Sequence, residues 1–477
     1  MMAEAGTESA VAGGIAAWPL GPLGIAARGQ VPCVGVLGLA RSGVAAAQLL
    51  HSRGCEVELF DLSIPEEHAG EVGALQEAGA VPRFGPHDPA ALGHLDLLVK
   101  SPGIRADIPF LTAAARLGVT VISELELAFL AARGPVLAVT GTNGKSTTTA
   151  WAGDMLREAG LPVQVVGNIG RPFSQGVLED PDAAFACEVS SFQLEDVRTF
   201  RPRVALLLNF TPDHLDRHGS LENYLTAKLR LFDRQEASDV AIVGPDDALA
   251  AAALGRGLGR RARFAREDRG GDGAFLADGM LVLRRGNEVT PLVAHKHLAL
   301  PGPHNLENAL AAALGAAALG ASPEAIARSL ENFAGLPHRL EPVGTVRGVR
   351  FVNDSKATNT DSLAVALASF EEPVILIAGG RDKGQDFRSL RPQVLRATSL
   401  VILIGEGADR MAEHWTGVPM TRAGALEDAV RLGLARARRG QVVLLSPACA
   451  SFDMFHDYED RGRCFRTAVA RLREEGR

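Results

Sequence analysis

Short runs of β-branched and leucine residues alternate with Ala-rich stretches of helical spacing along most of the chain. That alternation predicts parallel α/β units, whose strands are buried on both faces and joined by crossover helices. A first series of runs comprises Val31 to Leu39, Glu56 to Phe60 and Leu95 to Lys100, with a helix from about Gly43. A second comprises Val136 to Thr140, Val163 to Val166, Ala184 to Val189, Val204 to Leu208 and Val240 to Val243. A third comprises Val374 to Ala378, Leu400 to Ile404 and Val442 to Leu445. Each series predicts its own sheet. Boundaries are expected in the acidic, Ala-rich helix leading to Arg133-Gly134-Pro135 and near Ala334 to Pro337. Residues 255–300 are rich in Gly and Arg and then alternate through Met280, Leu281, Val282 and Leu283. They read as a surface insertion carrying a small antiparallel hairpin.

The length of 477 residues suits three domains, and 47% hydrophobic residues suffice for several cores. A formal charge of −7 and the lack of a long basic run argue against nucleic acid as a partner. Any phosphate must be held by local N–H groups, Lys, Arg or a metal. Cys33, Cys55, Cys187, Cys449 and Cys464 are scattered and form no C-x-x-C pair. They read as reduced thiols of a cytoplasmic protein. No apolar run reaches about 18 residues, so no membrane span is expected. Residues 1–30 lack the basic start and compact apolar stretch of a signal peptide and read as a loose extension.

The strongest chemical signal is Val136-Leu137-Ala138-Val139-Thr140-Gly141-Thr142-Asn143-Gly144-Lys145-Ser146-Thr147. A strand runs into a glycine-bearing turn and then a helix, so backbone N–H groups and the helix N-terminus converge on phosphate oxygens. Lys145 can reach the terminal phosphates of ATP, and the Ser146 hydroxyl can hold Mg²⁺. Val139 stands where the usual pattern has its first glycine. Glu188 and His214 each lie just beyond a strand of the same series, on the ligand side of a parallel sheet, and suit a metal. Lys228 by itself reads as a solvated helix lysine. Near the start of the chain, Gly35-Val36-Leu37-Gly38-Leu39-Ala40-Arg41-Ser42-Gly43 with Asp61 after the next strand is a weak dinucleotide fingerprint, since Ala40 replaces the middle glycine. A pyrophosphate there fits a UDP-sugar as well as NAD.

Asn209-Phe210-Thr211-Pro212-Asp213-His214 and Tyr224 to Lys228 make a resemblance specific. Together with Pro301-Gly302-Pro303-His304-Asn305, Leu336-Pro337-His338-Arg339-Leu340-Glu341 and Asn353-Asp354-Ser355-Lys356-Ala357-Thr358-Asn359, they resemble the Mur ligase family over about residues 31 to 475. Asp354-Ser355-Lys356-Ala357-Thr358-Asn359 and Ser446-Pro447-Ala448-Cys449-Ala450-Ser451 resemble its D-glutamate-adding branch. The resemblance implies an α/β protein of three domains. These are a Rossmann-like substrate domain at 31–125, a central P-loop-type ATPase domain with a mostly parallel sheet at 126–335, and a Rossmann-like amino-acid domain at 336–477.

It also implies roles. ATP would meet Gly141, Thr142, Asn143, Gly144, Lys145, Ser146 and Thr147, with Asn305 and Asn308 at adenine and Arg339 and Asp354 as further nucleotide contacts. Two Mg²⁺ ions would be held by Ser146, Glu188, His214 and a carbamylated Lys228. UDP-N-acetylmuramoyl-L-alanine would meet Arg41, Ser42, Asp61, Ser101 and Asn168. D-Glutamate would meet Lys356, Thr358, Lys383, Ser451 and Tyr458. Position 452 is Phe where the family commonly has an aliphatic residue.

The implied reaction converts a carboxylate to an acyl phosphate, which an amine then attacks. A hinge near 334–337 is expected to close the third domain on ATP, and a monomer is expected. Competing readings are a NAD-dependent oxidoreductase built on the first domain, a non-catalytic nucleotide binder, and a Mur ligase adding another amino acid.

Overall fold

The computed structural model describes residues 18–475 except 27, 28, 30, 65–67, 169, 301 and 383, and the side chains of Asp216 and Asp361 are likewise outside it. The chain forms two compact units, Met1–Phe333 and Ala334–Arg477.

The first unit holds two sheets. Strands β1 (Cys33–Leu37), β2 (Glu56–Asp61), β3 (Val81–Phe84), β4 (Leu97–Lys100) and β5 (Thr120–Ser123) form an all-parallel sheet of order β3-β2-β1-β4-β5. The order reverses at β1, so a crevice opens beyond the carboxyl ends of β1 and β4, where ligands of such sheets sit.

The second sheet contains β6 (Val136–Thr140), β7 (Val163–Gly167), β8 (Ala184–Glu188), β9 (Val204–Leu207), β10 (Val240–Val243), β11 (Arg260–Phe264), β12 (Gly273–Ala277), β13 (Met280–Arg285) and β14 (Glu288–Ala294). Its order is β14-β13-β12-β11-β10-β9-β6-β8-β7. The pairs from β7 to β12 are parallel, and β12-β13-β14 is an antiparallel meander. β6 is buried along its whole length. Val136 and Ala138 face one core, and Leu137 and Val139 face another. That double burial is why its sequence is continuously apolar rather than alternating. The helix Lys145–Glu158 covers one face through Trp151, which stacks on Phe333 at 5.1 Å and donates Nε1–H to the Ser329 carbonyl at 3.3 Å. Burying such a ring contributes roughly 3 kcal/mol.

Two expectations are corrected here. Residues 255–300 are not a surface insertion: the antiparallel strands expected there are present as β12-β13-β14, but with β11 they extend the middle sheet, with Phe264, Leu281 and Val293 in its core. The polar face that suggested an insertion is the solvated side of an antiparallel edge. The N-terminal extension is not loose where it is described. Trp18 and Leu20 are buried, and Trp18 donates Nε1–H to the Leu130 carbonyl at 3.3 Å. Residues 1–17 lie outside the described residues.

The second unit is one six-stranded sheet of β15 (Glu341–Val346), β16 (Val349–Asn353), β17 (Val374–Gly379), β18 (Thr398–Ile404), β19 (Met420–Arg422) and β20 (Val442–Leu445), in order β15-β16-β20-β17-β18-β19. β15 and β16 are an antiparallel hairpin and the other pairs are parallel. No helix among the described residues is long and apolar enough to cross a membrane.

Candidate active site

The turn after β6 is built by two glycines and braced by an asparagine. Gly141 (φ 149°) and Gly144 (φ 84°) adopt backbone that L side chains resist, and a Cβ on Gly144 would meet Asn308 Oδ1 at 2.4 Å. Asn209, two residues past the end of β9, accepts the Thr142 and Asn143 N–H groups on Oδ1 at 3.1 and 2.9 Å and donates Nδ2–H to the Asn143 carbonyl at 3.0 Å. The Thr142 hydroxyl donates to the Thr211 carbonyl at 3.1 Å and accepts the Thr211 N–H at 3.0 Å. The loop is therefore held from the neighbouring strand, in the manner of a preorganised anion cradle.

Two lysines converge on it. Lys145 Nζ donates to the Gly141 and Thr142 carbonyls at 3.0 and 2.8 Å, and Lys228 Nζ donates to the same Gly141 carbonyl at 2.8 Å. Lys228 is not a solvated lysine: it is 1% exposed and lies 4.6 Å from the centre of the Tyr224 ring. Burial, and then the charge of Lys145, hold its ammonium well below the usual lysine range. Thus it tends toward the neutral amine.

Glu188 ends β8 opposite Val139 of β6 and is 2% exposed. Its Oε1 accepts Asn168 Nδ2–H at 2.8 Å, while its buried Oε2 has no hydrogen-bond partner among the described residues. A buried carboxylate oxygen left so costs free energy unless a cation or donor meets it. His214 adopts a left-handed backbone (φ 51°), and its ring packs on Phe192 at 4.8 Å with Nε2 3.5 Å from Asp213 Oδ2. Asn305 and Asn308 open the helix Pro303–Ala318. Asn308 takes the Thr148 hydroxyl on Oδ1 at 3.2 Å and donates to Asn305 Oδ1 at 3.3 Å, so both flank the loop.

Beyond the carboxyl ends of β1 and β4 lies a pocket of about 390 Å³. Arg41, Ser42, Asp61, Ser101 and Asn168 all line it, with Gly38, Pro102 and Gln193. Asp61 accepts the Leu39 N–H at 2.6 Å, Ser101 donates to the Gly38 carbonyl at 2.7 Å, and Arg41 donates to the Gly170 carbonyl at 2.7 Å. Asn168 belongs both to this pocket and to Glu188, so one side chain joins the two parts of the site.

In the second unit, Asp354 follows β16 and is buried. It accepts the Ser446 hydroxyl at 2.8 Å and the Leu340 N–H at 3.2 Å, and burial pushes its carboxyl up to about 7. Lys356 Nζ lies 5.7 Å from the centre of the Tyr458 ring. Ser355 donates to the Tyr458 carbonyl at 2.7 Å, which ties the Lys356 turn to the helix Tyr458–Glu475. Gln385 Nε2 donates to the Thr358 and Ala448 carbonyls at 3.4 and 2.9 Å, which links Thr358 to the loop carrying the buried Ser451. Arg339 is half-buried in the turn before β15. Lys383 lies outside the described residues.

Family models for the Mur ligase MurD-like N-terminal domain, the Mur ligase middle domain and the Mur ligase glutamate ligase domain match residues 33–123, 139–316 and 338–449. A protein of Salinibacter ruber named UDP-N-acetylmuramoylalanine–D-glutamate ligase is 45% identical over 451 residues, covering 92% of this chain and 97% of that protein. One of Pelotomaculum thermopropionicum with the same name is 42% identical over 443 residues, with the same coverage. The chain belongs to the Mur ligase family. Its three-domain α/β architecture agrees with the solved UDP-N-acetylmuramate-alanine ligase MurC of Thermotoga maritima, at a TM-score of 0.58 and 20% identity over 93% of this chain and 99% of that one. The MurF ligase of Thermotoga maritima, solved in complex with ADP, gives 0.57 at 14% identity, covering 93% and 96%.

Several residues of this Mur ligase site carry no role in the sequence reading. Arg217 donates to the Ile104 carbonyl at 2.9 Å and to Glu195 at 2.8 Å, tying the 101–104 turn of the pocket to the His214 segment. His218 meets the Ser191 hydroxyl at 2.9 Å, and burial lowers its pKa. In the second unit Arg461, 1% exposed, donates to Ser355 Oγ and the Ser355 and Cys449 carbonyls at 2.9, 2.8 and 3.1 Å. Their only sequence signal is position: Arg217 and His218 lie three and four residues after His214, and Arg461 lies three after Tyr458.

Proposed function

We propose that this Mur ligase is an ATP-dependent amide-forming ligase that joins D-glutamate to UDP-N-acetylmuramoyl-L-alanine in peptidoglycan precursor synthesis, working as a cytoplasmic monomer. Its proposed domains span 31–125 for the UDP-linked substrate, 126–335 for ATP and 336–477 for the amino acid. The observation that carries the reading is the continuity from the pocket of Arg41 and Ser101, through Asn168, to Glu188 and the lysine-bearing turn. A carboxylate in that pocket is thereby adjacent to the triphosphate end of a nucleotide.

The substrate carboxylate attacks the γ-phosphorus, the β–γ bridging bond breaks, and an acyl phosphate and ADP result. The D-glutamate amine then attacks the acyl carbon, loses a proton, and inorganic phosphate leaves. Lys145 and the N–H groups of Gly141 to Thr147 neutralise the transferring group, since positioning and charge dominate such transfers. Asn305 and Asn308 hold adenine, with Arg339 and Asp354 as further nucleotide contacts. Thr358, Lys383, Ser451 and Tyr458, with Lys356, hold the amino acid, whose two carboxylates suit charge-assisted hydrogen bonds.

The unpartnered Glu188 Oε2 fits a divalent ion. Ser146, Glu188, His214 and Lys228 would hold two Mg²⁺, whose role is to screen phosphate charge. The buried, neutral-leaning Lys228 amine is the form that adds CO₂, giving a carbamate and releasing a proton. Phosphate release from ATP, Mg²⁺ and UDP-N-acetylmuramoyl-L-alanine tests the reading. Turnover with D-glutamate at least about tenfold above that with L-glutamate, a discrimination of roughly 1.4 kcal/mol, is expected. Equal turnover, or preference for L-alanine or a diamino acid, would sink it.

A further inference from the structure

At the opposite end of the first sheet from the substrate pocket, three metal-binding side chains meet. Cys33 opens β1, Glu58 is the third residue of β2, and His94 closes the turn Pro89–His94 before β4. One ligand atom from each lies within 4.8 Å of the other two. Glu58 is buried, Cys33 is half-buried and the His94 side chain is 49% exposed, so the group is anchored inside and open on one side. We propose that Cys33, Glu58 and His94 form a binding site for a borderline-soft divalent transition metal of the zinc class.

The donor set is the first argument. A thiolate, an imidazole and a carboxylate with one open position match zinc chemistry rather than magnesium or calcium, which take oxygen ligands. Geometry is the second. Metal–ligand bonds of about 2.0–2.3 Å in a tetrahedron put ligand atoms roughly 3.5 Å apart. His94 Nε2 and Glu58 Oε1 are now 2.8 Å apart and hydrogen-bonded. They must open by somewhat under 1 Å while the thiol draws in, a rotamer adjustment that the exposed histidine can make.

The third argument is the field. Glu58, Glu56 and Asp96 all act on the Cys33 thiol, against one guanidinium, Arg83. These carboxylates favour a dication beside the thiol, which would displace the thiol proton. Arg83 grips Glu58 with two bonds, Nε to Oε2 at 3.1 Å and Nη2 to Oε1 at 3.2 Å, so an ion on Oε1 replaces the second bond while the first keeps the carboxylate oriented. An ion there would clip β1, β2 and the turn before β4 together without touching the substrate end. The inference does not depend on the ligase reading.

Cobalt titration of the chelator-treated full chain tests it, because a cobalt–thiolate bond gives a charge-transfer band that Mg²⁺ sites with oxygen and imidazole ligands cannot. One equivalent of Co²⁺ producing that band, its displacement by Zn²⁺, its loss in Cys33→Ser and at least a tenfold weaker affinity in His94→Gln are expected. Cys464→Ser, at the exposed thiol, should retain the band. No thiolate band at millimolar Co²⁺, or an undiminished band in Cys33→Ser, overturns the proposal. Since His94 is half exposed, the His94→Gln protein is expected to fold as wild type, and a band insensitive to that change counts equally against it.

Discussion

Two strand-to-helix turns of the first unit use the same topological device for different ends. After β1, Gly38 and Gly43 bring the helix Arg41–Ser52 so close to the strand that a Cβ on Gly43 would sit 1.8 Å from the Gly38 carbonyl oxygen. After β6, Gly141 and Gly144 shape a loop that carries two inward lysines and is cross-braced by Asn209. The first turn offers one cation, Arg41, at the rim of a pocket. The second pairs the Lys145 cation with the neutral-leaning Lys228 amine, and the same sheet carries Glu188, whose Oε2 has no hydrogen-bond partner among the described residues. Under the proposed function each glycine turn seats a phosphate, and the groups around it separate binding a substrate from driving phosphoryl transfer.

The largest test of that contrast is Lys145→Ala against Arg41→Ala. The first is expected to lower kcat for phosphate release by about 10²–10³. The second is expected to raise KM for the UDP-linked substrate by roughly tenfold, as for one charge-assisted hydrogen bond, with kcat nearly kept. Equal effects on kcat would erase the distinction. Asn168→Ala cuts the link between the two parts by removing the donor to Glu188 Oε1. It should raise the Mg²⁺ concentration for half-maximal rate by about tenfold, as expected for loss of a supporting partner.

On the stability side, Gly43→Ala drives a methyl into a rigid carbonyl and should cost about 1–3 kcal/mol by chemical denaturation. Gly144→Ala meets the end of a side chain but requires φ 84°, which costs about 1–2 kcal/mol. A Gly43→Ala protein as stable as wild type would show that the first turn is looser than described.

A further test of stability concerns pH in the second unit. Asp354 has a folded pKa of about 7, above the ordinary aspartate value of about 3.9. Between these values the folded state holds a proton that the unfolded state has released, so stability falls as pH rises from about 4 to 7. Asp354→Asn should flatten that slope in denaturation series. An unchanged slope would mean that the carboxyl stays ionised.

Legibility in the sequence tracked locality. β6 and β10 were readable to the residue because doubly buried strands are continuous apolar runs. β3, exposed along its length, and β14, largely exposed and interrupted by Thr290 and Pro291, have no such run. The sheet edge from Arg260 to Ala294, parallel at β11 and antiparallel from Gly273, reads as an insertion for the same reason. At the site, the Gly141–Thr147 motif and Glu188 declared themselves through their place after strands. Lys228 did not, because a helix lysine carries no local mark of burial.

The chain by itself determined the alternation of strands and helices, the phosphate-seating turn and the family motifs, since each depends on near neighbours in sequence. Only the tertiary structure decided that Lys228 loses its water, that Glu188 Oε2 has no hydrogen-bond partner among the described residues, and that Asn168 joins the pocket to Glu188. It also decided that Cys33, Glu58 and His94 meet at the far end of β1. These depend on desolvation and on contacts between residues tens of positions apart, which no local pattern encodes.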